Sequence, residues 1–91
     1  METATAPSFP SFLEAELISE GFTQRDATNV SYEYTSVNAE GESRTVYVDK
    51  EEISVCLSEH DGSGKLTRAD KFLIRSRKSF DKARAEIFAK I

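Results

Sequence analysis

Hydrophobic and polar positions alternate most clearly over residues 29–37. Val30, Tyr32 and Tyr34 fall on one side there, and Ser31, Glu33 and Thr35 on the other. A period of two is that of a half-buried β-strand. Asn38-Ala39-Glu40-Gly41 follows with a glycine free to take positive φ. Residues 43–48 then return with Val46 and Val48 on one face and Tyr47 on the other, so a hairpin is predicted.

The period lengthens on either side of this hairpin. Phe12, Leu13, Leu17 and Ile18 recur at helical spacing behind a Ser11/Glu14 capping pair, and Gly21 suits a left-handed C-cap. This predicts a short helix over about 11–20. Ala69, Leu73, Phe80, Ala83, Ile87 and Ile91 lie in one helical stripe with Phe72 at its margin, behind a Thr67/Asp70 capping pair. A long helix is therefore predicted over about 68–90. Between hairpin and long helix, Ile53, Cys56, Leu57 and His60 suit a helix capped by Asp49 and Glu52, while Ile53, Val55 and Leu57 alternate as a strand would. The caps favour the helix, and the strand stays open.

These elements predict a small single α+β domain. Its β-hairpin has two, or with residues 50–58 three, antiparallel strands, packed by a short N-terminal helix and a long C-terminal helix. Residues 1–10, with two prolines and several small residues, are expected to form a flexible arm, and residues 11–91 the domain. An isolated two-stranded hairpin is marginal in water, so helices must cover it or a second copy must extend it, and a homodimer remains open. Six Phe and three Tyr in 91 residues support a core, but a thin one that favours docking onto a partner.

Composition narrows the chemistry. The single cysteine excludes an internal disulfide and a multi-thiolate zinc site. No apolar run is long enough to span a membrane, and no secretory leader is visible, so a soluble cytoplasmic protein is expected. One His and one Cys leave most nucleophilic and metal-hydrolytic mechanisms without parts, so the chain is expected not to be an enzyme and to need no cofactor. Cys56 and His60, four apart, would be neighbours on a helix, but Cys56 reads more simply as a core residue. Tyr32 and Tyr34 read as core with Val30, and Tyr47 as the exposed aromatic.

Charge is the main asymmetry. Residues 1–64 hold 3 Lys/Arg against 13 Asp/Glu, a net of −10, whereas residues 65–91 hold 9 against 3, a net of +6. On the predicted long helix, Arg68, Lys71, Arg75, Lys78 and Lys82 would form a row spaced 3, 4, 3 and 4. Such a row suits an acidic protein surface or a phosphate backbone, or balances the acidic body within the chain. No zinc finger, aromatic RNA-binding motif or helix-turn-helix pattern supports nucleic acid.

Residues 59–70 resemble the twelve-residue calcium loop of EF-hand proteins. Glu59, Asp61 and Ser63 fall on the first ligand positions, Gly64 on the sharp turn, Leu66 on the apolar position and Asp70 on the last ligand position. Glu for Asp at the first position and Asp for Glu at the last depart from that pattern. The simpler expectation is a Gly/Ser turn before a capped helix, with Glu59, Asp61, Ser63 and Asp70 as subsidiary candidates for a weak Ca²⁺ or Mg²⁺ site. Leu73, Arg77 and Phe80 after a hairpin also resemble a family of small bacterial domains of unknown function, which implies a fold and no activity.

The expected function is therefore a non-enzymatic protein-interaction module. It would be a small regulator or inhibitor, of the type encoded by phages or mobile elements, that binds a larger protein through Arg68, Lys71, Arg75, Lys78 and Lys82. An acidic face including Glu33 is an alternative contact surface. A nucleic-acid-binding accessory protein using the same basic row is the second expectation, and the weak cation site the third.

Overall fold

A computed structural model describes residues 9–89. The alternating segments form β2 (Ser31–Val37) and β3 (Ser43–Asp49), paired antiparallel with Tyr32 opposite Val48 and Tyr34 opposite Val46. Before them stand α1 (Phe9–Ser19) and β1 (Thr23–Ala27); after them come β4 (Ser54–His60), β5 (Leu66–Leu73) and α2 (Arg77–Ile87). The five strands make one antiparallel sheet in sequence order, β1-β2-β3-β4-β5. The small α+β class expected from the sequence is present, but the sheet has five strands rather than two or three.

The predicted long helix is the chief correction. Residues 66–73 are strand β5, and the C-terminal helix is confined to the 11 residues of α2. Its N-cap is Ser76, not Thr67: Ser76 Oγ accepts from Ser79 N–H at 3.2 Å, and Ser79 Oγ accepts from the N–H groups of Arg75 and Ser76 at 2.9 Å. Thr67 instead donates its hydroxyl to Glu59 O at 3.2 Å across the β4–β5 pair. The 50–58 segment takes the strand alternative. Asp49 Oδ1 accepts from the N–H groups of Glu51 and Glu52, but this closes a turn rather than starting a helix. Ile53 ends that turn at φ 56°, a strained position for a β-branched residue. The N-terminal helix begins at Phe9, so Ser11 lies inside it and Pro10 in its first turn, where proline is well tolerated. Residues 1–8 of the expected arm, and Lys90 and Ile91 of the expected helix, lie outside the described residues.

Both helices cover the same face of the sheet. Leu13 and Leu17 of α1 and Phe80, Ala83 and Ile87 of α2 are buried against Tyr32, Tyr34, Val46, Val48, Val55 and Leu57. Gly21 at φ 89° ends α1, and Phe22 N–H donates back to Leu17 O at 2.9 Å. The buried tyrosines find partners: Tyr32 donates to Pro10 O at 2.6 Å, and Tyr34 to Glu14 Oε2 at 2.9 Å. Burial pushes both phenols up, Tyr34 to about 12.

Two hairpin turns repeat one solution at one end of the sheet. Asn38 Oδ1 accepts from the N–H groups of Glu40 and Glu42, and Asp61 Oδ1 from those of Ser63 and Lys65. Gly41 and Gly64 supply the positive φ that each turn requires. The turns also touch, for a Cβ on Gly62 would lie 2.7 Å from Glu40 O.

Candidate functional site

The expected basic row does not exist as a row. In a strand, alternate side chains leave by opposite faces, so Arg68 and Lys71, three apart, are separated by the sheet. Arg68 is on the helix-covered face and pairs with Asp70 and Glu86. Lys71, on the open face, pairs with Glu52 at 3.0 Å. These hydrogen-bonded carboxylates raise the Arg68 and Lys71 pKa values, and the bond from Lys71 draws Glu52 below its ordinary range. Two arginines of α2 are engaged as well: Arg77 with Asp81 at 3.2 Å, and Arg84 with Glu16 at 2.8 Å, which ties α2 to α1.

Arg75, Lys78 and Lys82 differ from these. All three are exposed, and among the described residues none makes an ion pair. Lys78 and Lys82 are one turn apart on α2, and Arg75 immediately precedes its cap. The first turn of α2 contains no acidic residue, so Arg75 and Lys78 stand at the positive end of the helix dipole, where they cost stability, and Lys82 follows in the second turn. The Ser76 and Ser79 hydroxyls already occupy backbone N–H groups there. An arriving anion would meet side-chain charges.

Arg44 escaped sequence reading. It is 4% exposed, donates from Nε to Glu59 Oε2 at 2.6 Å, and reaches the carbonyls of Ile87 and Ala89 at 2.5 Å. It thereby closes the negative end of α2 and neutralises Glu59. The available sequence signal was a charge at an inward position of a strand otherwise carrying Val46 and Val48.

The EF-hand-like loop does not assemble. Glu59 is turned to Arg44 and Asp70 to Arg68, while Asp61 is bound to Ser63 and Lys65 of its own turn. The Ser63 hydroxyl, then the Lys65 N–H, hold the Asp61 carboxyl below its ordinary range. Among the described residues, no group of three or more His, Cys, Asp or Glu is placed to hold a metal ion.

Cys56 is not in the core as expected. It alternates to the open face, between Tyr47 of β3 and Lys71 of β5. His60 lies four strand residues away, about 13 Å along the chain, which separates the two as a reacting pair. Tyr47 is exposed on that face, as expected, while Val30 is exposed rather than core. Thr35 and Thr45 hydrogen-bond to one another at 3.1 Å beside Ser58 and Ala69, making this face polar and shallow. The apolar pocket lined by Pro10, Leu13, Val48 and Phe80 holds only about 10 Å³, too small for an organic ligand. No described helix is long and apolar enough to cross a membrane.

No family model matches the chain, and no curated protein or solved structure matches it either. The resemblance through Leu73, Arg77 and Phe80 loses its premise, since Leu73 ends a strand and residues 50–58 form no short helix.

Proposed function

We propose that this chain is a non-enzymatic protein-binding module whose contact patch is Arg75, Lys78 and Lys82 at the start of α2. The carrying observation is the contrast within the basic segment. Arg68, Lys71, Arg77 and Arg84 are matched by carboxylates of the chain, while Arg75 and Lys78 remain exposed and unmatched at the helix end that disfavours them, with Lys82, likewise unmatched, one turn on; of the segment's other described cations only Lys65, in the β4–β5 turn, is also unpaired. Positive charge held against the local preference of the helix is suited to an external anion. An acidic protein surface is the favoured partner, since three cations are few for a duplex and the acidic body would repel one.

The test compares wild type with Arg75→Glu/Lys78→Glu/Lys82→Glu. A fluorescent peptide of alternating Glu and Asp, duplex DNA and single-stranded RNA would each be titrated by anisotropy at low and moderate salt. The reading expects salt-sensitive binding of the acidic peptide that the triple variant abolishes while its circular dichroism is unchanged. Tight DNA or RNA binding with a log–log salt slope near 3 would replace it with the nucleic-acid reading. Absence of binding to all three probes would remove the patch from consideration.

A further inference from the structure

The two edges of the sheet are built differently. Strand β1 is five residues long and bulged between Gln24 and Asp26, which blunts it against further pairing. Strand β5 has eight residues; its register with β4 shifts once, at Thr67 near the turn, and from Arg68 to Leu73 it is unbroken. The hydrogen bond from Ile74 N–H to Ile53 O fixes which of its backbone groups point inward. In an antiparallel ladder, bonded and non-bonded pairs alternate, so Phe72 and Asp70 address β4 while Leu73, Lys71 and Ala69 direct their N–H and C=O groups away from the sheet. Among the described residues, no backbone hydrogen bond caps these outward groups.

We propose that this edge pairs with β5 of a second copy, antiparallel about a two-fold axis at Ala69, to make one continuous ten-stranded sheet. The sequence of the edge selects both partner and register. Keeping the helix-covered faces of the two sheets on one side requires a residue of the same face at the axis. Centring on Arg68, Asp70 or Lys71 sets like charges directly opposite, which destabilises a strand pair. Centring on Phe72 lays Lys71 beside Leu73 and Asp70 beside Ile74. Centring on Ala69 puts a small neutral residue on the axis and Arg68 opposite Asp70 of the second copy, twice by symmetry. Each Arg68 already holds its own Asp70 and Glu86, and its five N–H donors suffice to reach the Asp70 of the second copy as well. The Ala69 residues exchange two backbone hydrogen bonds, and Lys71 comes opposite Thr67. The edges left outside are the two bulged β1 strands, so the assembly closes at two copies.

This pairing uses none of Arg75, Lys78 and Lys82 and stands or falls apart from the basic patch. The test is sedimentation equilibrium of the full chain from about 5 to about 500 µM, the range for a small, edge-only interface. Wild type is expected to show a monomer–dimer equilibrium. Ala69→Pro removes an outward N–H without touching the bonds to β4 and should raise the dissociation constant at least about tenfold. Asp70→Arg alone and Arg68→Asp alone each set like charges opposite and should be monomeric. Mixed one to one, these two variants restore opposite charges and should form a heterodimer, an outcome independent of how well the proline variant folds. A wild type that stays monomeric throughout, an Ala69→Pro protein that dimerises unchanged, or a charge-swapped mixture that fails to associate would each overturn the proposal.

Discussion

The two faces of the sheet follow opposite rules. On the covered face, Tyr32, Tyr34, Val46, Val48, Val55 and Leu57 are almost wholly removed from water, and the inward charge, Arg44, is matched by Glu59 and the end of α2. On the open face, Glu33, Tyr47, Cys56 and Lys71 form one cross-strand row and Thr35, Thr45, Ser58 and Ala69 another. One face thus carries most of the apolar burial, while the other carries mainly polar side chains that are exposed or, like Thr35 and Thr45, bonded to one another. Stability should therefore depend steeply on one face and little on the other.

Arg44→Ala should test that contrast hardest. It leaves the partly buried Glu59 without its cation and the α2 carbonyls open, so a loss of about 3–5 kcal/mol is expected in urea unfolding. Leu57→Ala, on the same face and fully buried, should cost about 2–5 kcal/mol by the same measurement. Gly62→Ala forces a contact with Glu40 O between the hairpin turns and should cost about 1–3 kcal/mol. On the open face, Cys56→Ser should stay within about 0.5 kcal/mol of wild type. A large loss there would mean that this face is covered in solution.

Alkali should act on the covered face through its buried tyrosines. The folded-state pKa of Tyr34 is raised from 10.0 to about 12, so the folded state holds its proton more tightly than the unfolded chain. Its contribution is complete below pH 10 and is lost as pH rises toward 12. Thermal unfolding followed across that window should show a falling midpoint, and Tyr34→Phe should flatten the fall.

The same contrast explains what could be read from the chain. The hairpin of β2 and β3 was legible because central strands have one buried and one open face, so alternation is written into Tyr32, Tyr34, Val46 and Val48. Strand β1, with Thr23, Gln24, Arg25, Asp26 and Ala27 all exposed, carries no such record. Strand β5 mixes Arg68, Asp70, Lys71, Phe72 and Leu73 without clean alternation, since its inward side lies at the margin of the helical cover. Its Thr67/Asp70 spacing imitates a helix cap, and Leu73, Phe80 and Ala83 imitate one stripe although a strand–helix junction divides them. Of the five basic residues expected to share a surface, only Lys78 and Lys82 stay one turn apart on a helix, with Arg75 in the junction just before its cap.

By itself, then, the sequence determined the α+β class, the central hairpin, the tyrosine core, the N-terminal helix and the charge imbalance between the two parts of the chain. Each rests on local periodicity or on composition, which a single chain displays without reference to its neighbours. Tertiary structure alone decided that residues 66–73 extend the sheet, that Arg44 is drawn inside, and which cations remain unmatched. An edge strand is stabilised by hydrogen bonds to the strand beside it, and an ion pair by a carboxylate that folding brings near. Both depend on proximity between residues distant in sequence, and no local pattern records that proximity.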